Sequence, residues 1–335
     1  MKRAIVTALG LIVVLTLTLA VFGVPPLQGL GLIYEGAFGD KFGLSRTLVR
    51  TTPLLLCGLG VAVAWRAGMY NIGGEGQYVT GGVAGAWVAQ LTSTYSAQLG
   101  AVLVLLGAVC GGAILAAFAG WLQVKRGVQC VISTILINFI AIQLLGWAVR
   151  GPLQEHKHQL PQSEPLTNAA MLQRFDPQTD LHSGVGIALI AAIVVSIGLK
   201  GTVSGFKLKV VGESERLARS QKLNPGSIQI GAMAVSGALC GLAGGLDYVG
   251  LIGHVGDGFA QGWGFLAIPV ALLGGLDPVG VGAAALYFGA LMAGGEGLSR
   301  FSATGTTLVY VIQSVAVLGL VAINSFSRRT KVVVD

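Results

Sequence analysis

The chain has 335 residues, of which 53% are hydrophobic and only 10% charged, and its mean hydropathy is +0.77. So little charge cannot cover a soluble domain of this size, so the expected class is all-α, a polytopic helical membrane protein set in a lipid bilayer. A formal net charge of +7 would suit nucleic acid, but the basic residues sit in segments that flank apolar runs; topology accounts for them and no nucleic-acid partner is implied.

In chain order, Lys2 and Arg3 precede an apolar run from Ala4 to Val24, enough to cross a hydrocarbon core of about 30 Å. No small-x-small cleavage site follows it cleanly, so an uncleaved first span is expected. Residues 25–50 mix Glu35, Asp40, Lys41 and Arg46 with aromatics and glycine, as an external interfacial segment would. Further spans are expected at about Thr51–Trp65, Ile72–Leu91, Gln98–Leu122 and Val128–Val149. The polar stretch 150–183, with His156, His158, His182, Pro152 and Pro177, reads as an external loop or small cap. A sixth span, Gly184–Leu199, leads into a charged stretch at 200–227, and four more follow: Ile228–Tyr248, Gly262–Leu276, Pro278–Leu298 and Thr306–Asn324.

About ten spans in a single transmembrane domain, 1–335, place both termini on one side. With the N-terminus inside, 14 of the 21 basic residues fall on the inner side, an excess that favours cytoplasmic termini and a cytoplasmic 200–227 loop. That loop contains a short helix signal. Gly212 and Ser214 offer an N-cap, Glu213 and Glu215 put negative charge in the first turn, Arg216, Arg219 and Lys222 put positive charge later, and Asn224-Pro225-Gly226 stops it. It reads either as a solvated connector or as a docking element for a cytoplasmic partner.

The four cysteines, Cys57, Cys110, Cys130 and Cys240, lie in apolar runs without metal-ligand spacing and read as small buried hydrophobes, and the loop histidines read as part of a polar loop rather than a metal site. Fifty-two glycines cluster within the spans, among them Gly81, Gly82, Gly85, Gly237, Gly241 and Gly244, at spacings that let helices approach closely in lipid. Glu75 and Glu296 lie in or beside apolar runs. An unpartnered carboxylate there is costly, so each should face a wet cavity, cap an interrupted helix or pair with a base such as Arg66. Thr134, Asn138 and Gln143 form a polar stripe on the fifth span, and Gln77 and Thr80 one on the third; pore lining and interhelical hydrogen bonding both fit them. Leu56-Cys-Gly-Leu-Gly60 faintly echoes Leu239-Cys-Gly-Leu-Ala-Gly244. The chain contains no Walker A loop and no nucleophile or metalloprotease motif, so no ATP site of its own is expected.

Five stretches occur in order: Arg66-Ala-Gly-Met-Tyr-Asn-Ile-Gly-Gly-Glu-Gly-Gln77, Val131-Ile-Ser-Thr-Ile-Leu-Ile-Asn138, Val211-Gly-Glu-Ser-Glu-Arg-Leu-Ala-Arg219, Ser236-Gly-Ala-Leu-Cys-Gly-Leu-Ala-Gly-Gly245 and Ile268-Pro-Val-Ala-Leu-Leu-Gly-Gly275. Together they resemble the permease subunits of bacterial ABC importers of the branched-chain amino acid, ribose and nucleoside superfamily. The Asn71–Gln77 form is most similar to the nucleoside (guanosine-type) branch. The resemblance implies a non-catalytic subunit of the plasma (inner) membrane that pairs with a second, paralogous permease, with cytoplasmic ABC ATPases carrying ATP and Mg, and with an external substrate-binding lipoprotein of the BMP type; it implies no cofactor in this chain. It makes Gly212–Asn224 the coupling helix, so Gly212, Glu213, Ser214, Glu215, Arg216, Leu217, Ala218, Arg219, Ser220 and Asn224 would meet the ATPase. Here Gln221-Lys222 stand where related chains often carry Ala-Gly. The substrate path would pass Asn71, Glu75, Gln77, Thr134 and Asn138. Ribose, another monosaccharide or a branched-chain amino acid is an alternative cargo, and a stand-alone ion-coupled transporter with Glu75 and Glu296 as carriers is an alternative of a different class.

Overall fold

The computed structural model describes residues 2–92, 96–167, 170–301, 310–311 and 314–315. They form twelve named α-helices: α1 (Lys2–Val21), α2 (Pro26–Tyr34) running into a π-helical turn (Glu35–Gly39), α3 (Lys41–Arg66), α4 (Gly74–Leu91), α5 (Ala97–Arg126), α6 (Cys130–Val149), α7 (Gly184–Gly201), α8 (Val203–Glu213), α9 (Glu215–Ser220), α10 (Pro225–Asp247), α11 (Trp263–Leu273) and α12 (Pro278–Phe301). Among the described residues the fold is all-α, and β-pairing is confined to two isolated bridges.

Six of these helices are long and apolar enough to cross a membrane, namely α3, α5, α6, α7, α10 and α12, and the bent pair Leu15–Val21 with Pro26–Gly39, broken by 117°, would make a seventh. The expected tenth span, Thr306–Asn324, falls almost wholly outside the described residues. The expected third and eighth spans take a different form. α4 carries Glu75, Gln77 and several glycines and is buried along most of its first three turns, while α11 is only 11 residues long. Both begin in the protein interior, where a polar or short helix start is surrounded by protein and not lipid.

The chain divides into two compact units, Thr52–Ala285 and Met1–Thr51 with Leu286–Asp335. In the first, α10 packs against α4 and α5 at backbone distance. A Cβ at Gly237 would lie 2.1 Å from the Gly112 carbonyl oxygen, and one at Gly241 2.2 Å from that of Ala108, so only glycine permits this approach. Val63, Ala67, Met69, Ala116, Ile137 and Met233 fill a core beside it. Ile132, Leu136 and Phe139 on α6 and Ile190, Ile193 and Val194 on α7 are exposed, as side chains facing lipid would be. The echoed segments at 56–60 and 239–244 meet: Cys57 and Cys240 are hydrogen-bonded, and Gly60 lies against Ser236 and Cys240.

In the second unit, Leu15, Leu19, Ile33, Leu291 and Leu298 form the core. Residues 25–50 are helical over nearly their whole length, and α3 begins at Lys41 rather than Thr51. Arg46 and Arg50, which broke the apolar pattern, are both paired with Glu296, so the helix continues through them.

The 150–183 segment is a cap pinned to the chain that follows α10. Ser163 donates its backbone N–H to the Val255 carbonyl (2.8 Å), Leu166 to Gly253 (2.8 Å) and Leu172 to Val249 (2.8 Å). His182 closes the cap. It is fully buried, its Nδ1 accepts from the Gly184 N–H at 3.1 Å, and a Cβ on Gly250 would strike its ring at 2.4 Å. Burial, helped by the charge of Arg174 and opposed by Asp180, lowers the imidazole from an ordinary 6.5 to about 4. The folded cap thus binds fewer protons than the open one between these values; its stability is complete above the ordinary value and falls as pH drops from there towards 4. Amide exchange of residues 170–183 is expected to speed up as pH falls through that window, after correction for intrinsic rates. A His182→Phe variant is expected to lack this response.

Candidate functional site

Between α3 and α4 the chain leaves helical geometry over 67–73, and side chains of α6 replace missing backbone bonds while Ser236 of α10 holds the Asn71 side chain. Asn71 and Gln77 exchange amide hydrogen bonds, with Asn71 Nδ2 donating to Gln77 Oε1 and Gln77 Nε2 to Asn71 Oδ1, each at 3.0 Å. Asn71 Nδ2 also donates to Ser236 Oγ on α10 (2.9 Å), and Asn71 Oδ1 accepts the Gly73 N–H (2.8 Å). From α6, Thr134 Oγ1 accepts the Ile72 N–H (3.2 Å), while Asn138 donates Nδ2 to the Ile72 carbonyl (3.0 Å) and accepts the Gly76 N–H on Oδ1 (2.8 Å). The glycines of the Asn71–Gln77 stretch are contact positions: a Cβ at Gly74 would lie 3.2 Å from Gly264, and one at Gly76 2.9 Å from the Asn138 Cα.

Glu75 joins two helix N-termini. Its Oε1 accepts the Gly262 N–H and its Oε2 the Gly264 N–H, both at 2.8 Å. Gly264 in turn abuts α4, since a Cβ there would fall 2.0 Å from the Glu75 nitrogen. The positive ends of α4 and α11 therefore converge on one carboxylate, which satisfies two of the orphan donors at the start of α11 and offsets both dipoles. Of the three environments open to Glu75, the structure selects the helix cap. Arg66 pairs instead with Asp277 (3.8 Å), which also binds Lys200 (2.7 Å). Burial works against the Asp277 charge, but Lys200 and the Gly280 and Val279 N–H groups outweigh it and hold the carboxyl below its ordinary range.

The five residues assigned to a substrate path, Asn71, Glu75, Gln77, Thr134 and Asn138, thus come together as one cluster, each no more than 2% exposed. Gln143 stands apart on the exposed face of α6. Sequence reasoning missed a second buried pair: Tyr78 donates to Asp247 Oδ2 at 2.7 Å and stacks on Phe259 with ring centroids 5.2 Å apart. Asp247 ends the apolar run of α10, and a carboxylate within a spanning segment was the signal available.

The charged stretch at 200–227 resolves into two helices. Gly212 and Glu213 end α8, so the short helix is α9 alone, capped by Ser214 Oγ accepting the Leu217 N–H (3.2 Å). Glu215 accepts from Gln229 of α10 (2.9 Å), Ala218 is fully buried and Asn224 caps α10. Arg216, Arg219 and Ser220 are exposed, and Leu217 is 49% exposed. Gly212 lies on the loop that enters the Asn71 cluster, for a Cβ there would meet the Arg66 carbonyl oxygen at 2.0 Å.

The family described as branched-chain amino acid transport system / permease component matches residues 43–322. The chain belongs to this family. Among its relatives, the glucose ABC transporter permease TsgB13 of Haloferax volcanii is 32% identical over 334 residues, covering 97% of this chain and 88% of the relative. The guanosine ABC transporter permease NupP of Bacillus subtilis is 30% identical over 317 residues, 93% of this chain and 90% of the relative. The nucleoside ABC transporter permease NupB of Lactococcus lactis is 28% identical over 288 residues, 83% of this chain and 79% of the relative. The permease is accordingly a multi-pass membrane subunit of an ABC transporter, a family whose members work with ATPase and substrate-binding partners.

Each buried donor left without an acceptor costs about 1–3 kcal/mol, so Glu75→Ala is expected to destabilise the permease by about 2–6 kcal/mol. Glu75→Gln, which keeps one acceptor oxygen, is expected to lose about half as much. Denaturant unfolding in detergent checks both; an unchanged midpoint for Glu75→Ala would contradict the capping role.

Proposed function

We propose that the permease translocates nucleosides inward, with ATP and Mg bound on cytoplasmic ATPase subunits, a second, paralogous permease beside it and an external lipoprotein of the BMP type delivering substrate. The nucleoside assignment is supported by the Asn71–Gln77 form and by the two relatives named for guanosine and nucleoside transport. The glucose permease relative supports a second reading, a monosaccharide cargo. With the basic excess inside, both termini and α8–α9 lie in the cytoplasm of a bacterial plasma membrane and the 150–183 cap lies outside, where it is a surface for the lipoprotein.

The observation that carries the mechanism is the exposed face of α9 on a braced base. Glu215, bonded to Gln229, ties the helix to α10, Ala218 is its buried side and Ser214 caps its start, while Arg216, Leu217 and Ser220 are free to seat in an ATPase. Movement there passes through Gly212 to Arg66 and Gly68, and so into the segment holding Asn71. The Asn71, Gln77, Thr134 and Asn138 cluster is the part of the path that this movement opens to substrate. A stand-alone ion carrier would need titrating carboxylates facing water; Glu75 is engaged by two backbone donors and Glu296 by two arginines.

Leu217→Asp places a charge at the centre of the seating face without touching the membrane core. It is expected to reduce substrate-stimulated ATP hydrolysis by at least tenfold while the chain still inserts and co-purifies with its sister permease. Undiminished stimulation would contradict the coupling role. Uptake of guanosine against glucose, insensitive to an uncoupler and dependent on ATP, decides the cargo.

A further inference from the structure

A cavity of about 680 Å³ lies at the end of the first unit opposite α9, between the last turn of α4, the first turns of α5 and the 153–170 part of the cap. Its volume falls within the range of small-molecule sites. It exists because Ala86, Ala89, Gly100 and Ala101 present almost no side chain where α4 and α5 diverge. Apolar wall comes from Val104, Leu153, Leu166 and the ring of Tyr248, whose hydroxyl is hydrogen-bonded to Ser163. Polar wall comes from Gln90, Gln154, Thr167 and Glu164.

Glu164 is already set in place. His156 donates both its backbone N–H (3.0 Å) and its ring Nδ1 (2.9 Å) to the same oxygen, Oε2, so Oε1 keeps its capacity to accept. The bond from the His156 side chain, then that from its backbone, holds the carboxyl below its ordinary value, so it is charged at neutral pH. Among the described lining residues there is no lysine or arginine, and the one basic side chain, His156, is engaged by Glu164. Such a wall rejects phosphates and carboxylates. It accepts an uncharged molecule with O–H and N–H donors for Glu164, two-way hydrogen bonding for Gln90 and Gln154, and one apolar face for Tyr248 and the leucines.

We propose that this cavity is a reception site for an uncharged nucleoside on the binding-protein side of the permease, occupied before the buried Asn71 cluster opens. The assignment of side rests on the import reading above.

The test uses the permease purified with its ATPase and sister permease in nanodiscs, without the external binding protein, and titrated with radiolabelled guanosine. Gly100→Leu adds bulk at a residue that lines the cavity, where nothing lies within 4 Å of a Cβ. Gly186→Leu makes the same change at another open position outside the cavity and is the control. Saturable guanosine binding is expected in wild type and in Gly186→Leu, weakened at least tenfold in Gly100→Leu and about tenfold in Glu164→Gln, where a charged acceptor is lost. Guanosine monophosphate is expected to compete at least tenfold less well than guanosine. Equal guanosine affinity in wild type, Gly100→Leu and Glu164→Gln would overturn the site, as would no saturable binding in wild type. Competition by the monophosphate equal to that by guanosine would overturn the exclusion of anions, and cavity-dependent binding of glucose alone would overturn the nucleoside class. In a second measurement, on proteoliposomes supplied with the external binding protein, ATP-driven uptake that is intact in wild type and in both cavity variants would remove this site and leave the importer standing. A wild type that binds guanosine in the cavity but drives no uptake would remove the importer instead.

Discussion

The carboxylate of Glu75 is the constraint on which the inner architecture depends. Two helices, α4 and α11, begin in the protein interior, and a helix start carries unsatisfied N–H groups and a partial positive charge that lipid cannot relieve. One buried carboxylate bonded to Gly262 and Gly264 meets both needs. It also explains the company it keeps: Gly74 and Gly264 let the two helix starts touch, and Gly76 lets Asn138 approach. A carboxylate that looks extravagant in an apolar run is thus held by the two helix starts it joins.

Around that joint the polar groups form a continuous set reaching the surface. The Asn71–Gln77 amide pair fixes the 67–73 segment, Thr134 and Asn138 tie it to α6, and Ser236 ties it to α10. The same segment starts at Arg66, on which Gly212 rests, and Arg66 shares Asp277 with Lys200 at the foot of α7. The end of α8, one residue before α9, is thus packed against the segment that leads into the cluster.

Much of this was legible in the residues. The ends of α6, α7 and α10 were read to within a few positions because apolar length and flanking charge are local signals. The cap of α9 at Ser214 was legible for the same reason, whereas α9 ends at Ser220 and Asn224-Pro225-Gly226, read as its stop, begins α10 instead. The assignment of Gly212 to α9 failed because its glycine serves a contact with Arg66, far off in sequence. The start of α3 was misread because Arg46 and Arg50 look like the end of a span until Glu296, about 250 residues on, is known to face them. Asn71, Glu75, Gln77, Thr134 and Asn138 lie together as one buried cluster, but polar residues in apolar runs do not say whether they face water or one another. The Tyr78–Asp247 pair and the cavity under the cap depend on pairings between α4, the cap and the end of α10, which no single stretch reveals.

The most direct measurement is amide hydrogen exchange at Gly262 and Gly264 in the nanodisc-embedded complex, compared between the native chain and Glu75→Ala. The account requires these two amides to exchange far more slowly than those of Gly256 and Gly258 just before them, and to lose that protection when the carboxylate is removed. Protection that is unchanged in Glu75→Ala would show that something other than this carboxylate holds the two helix starts together.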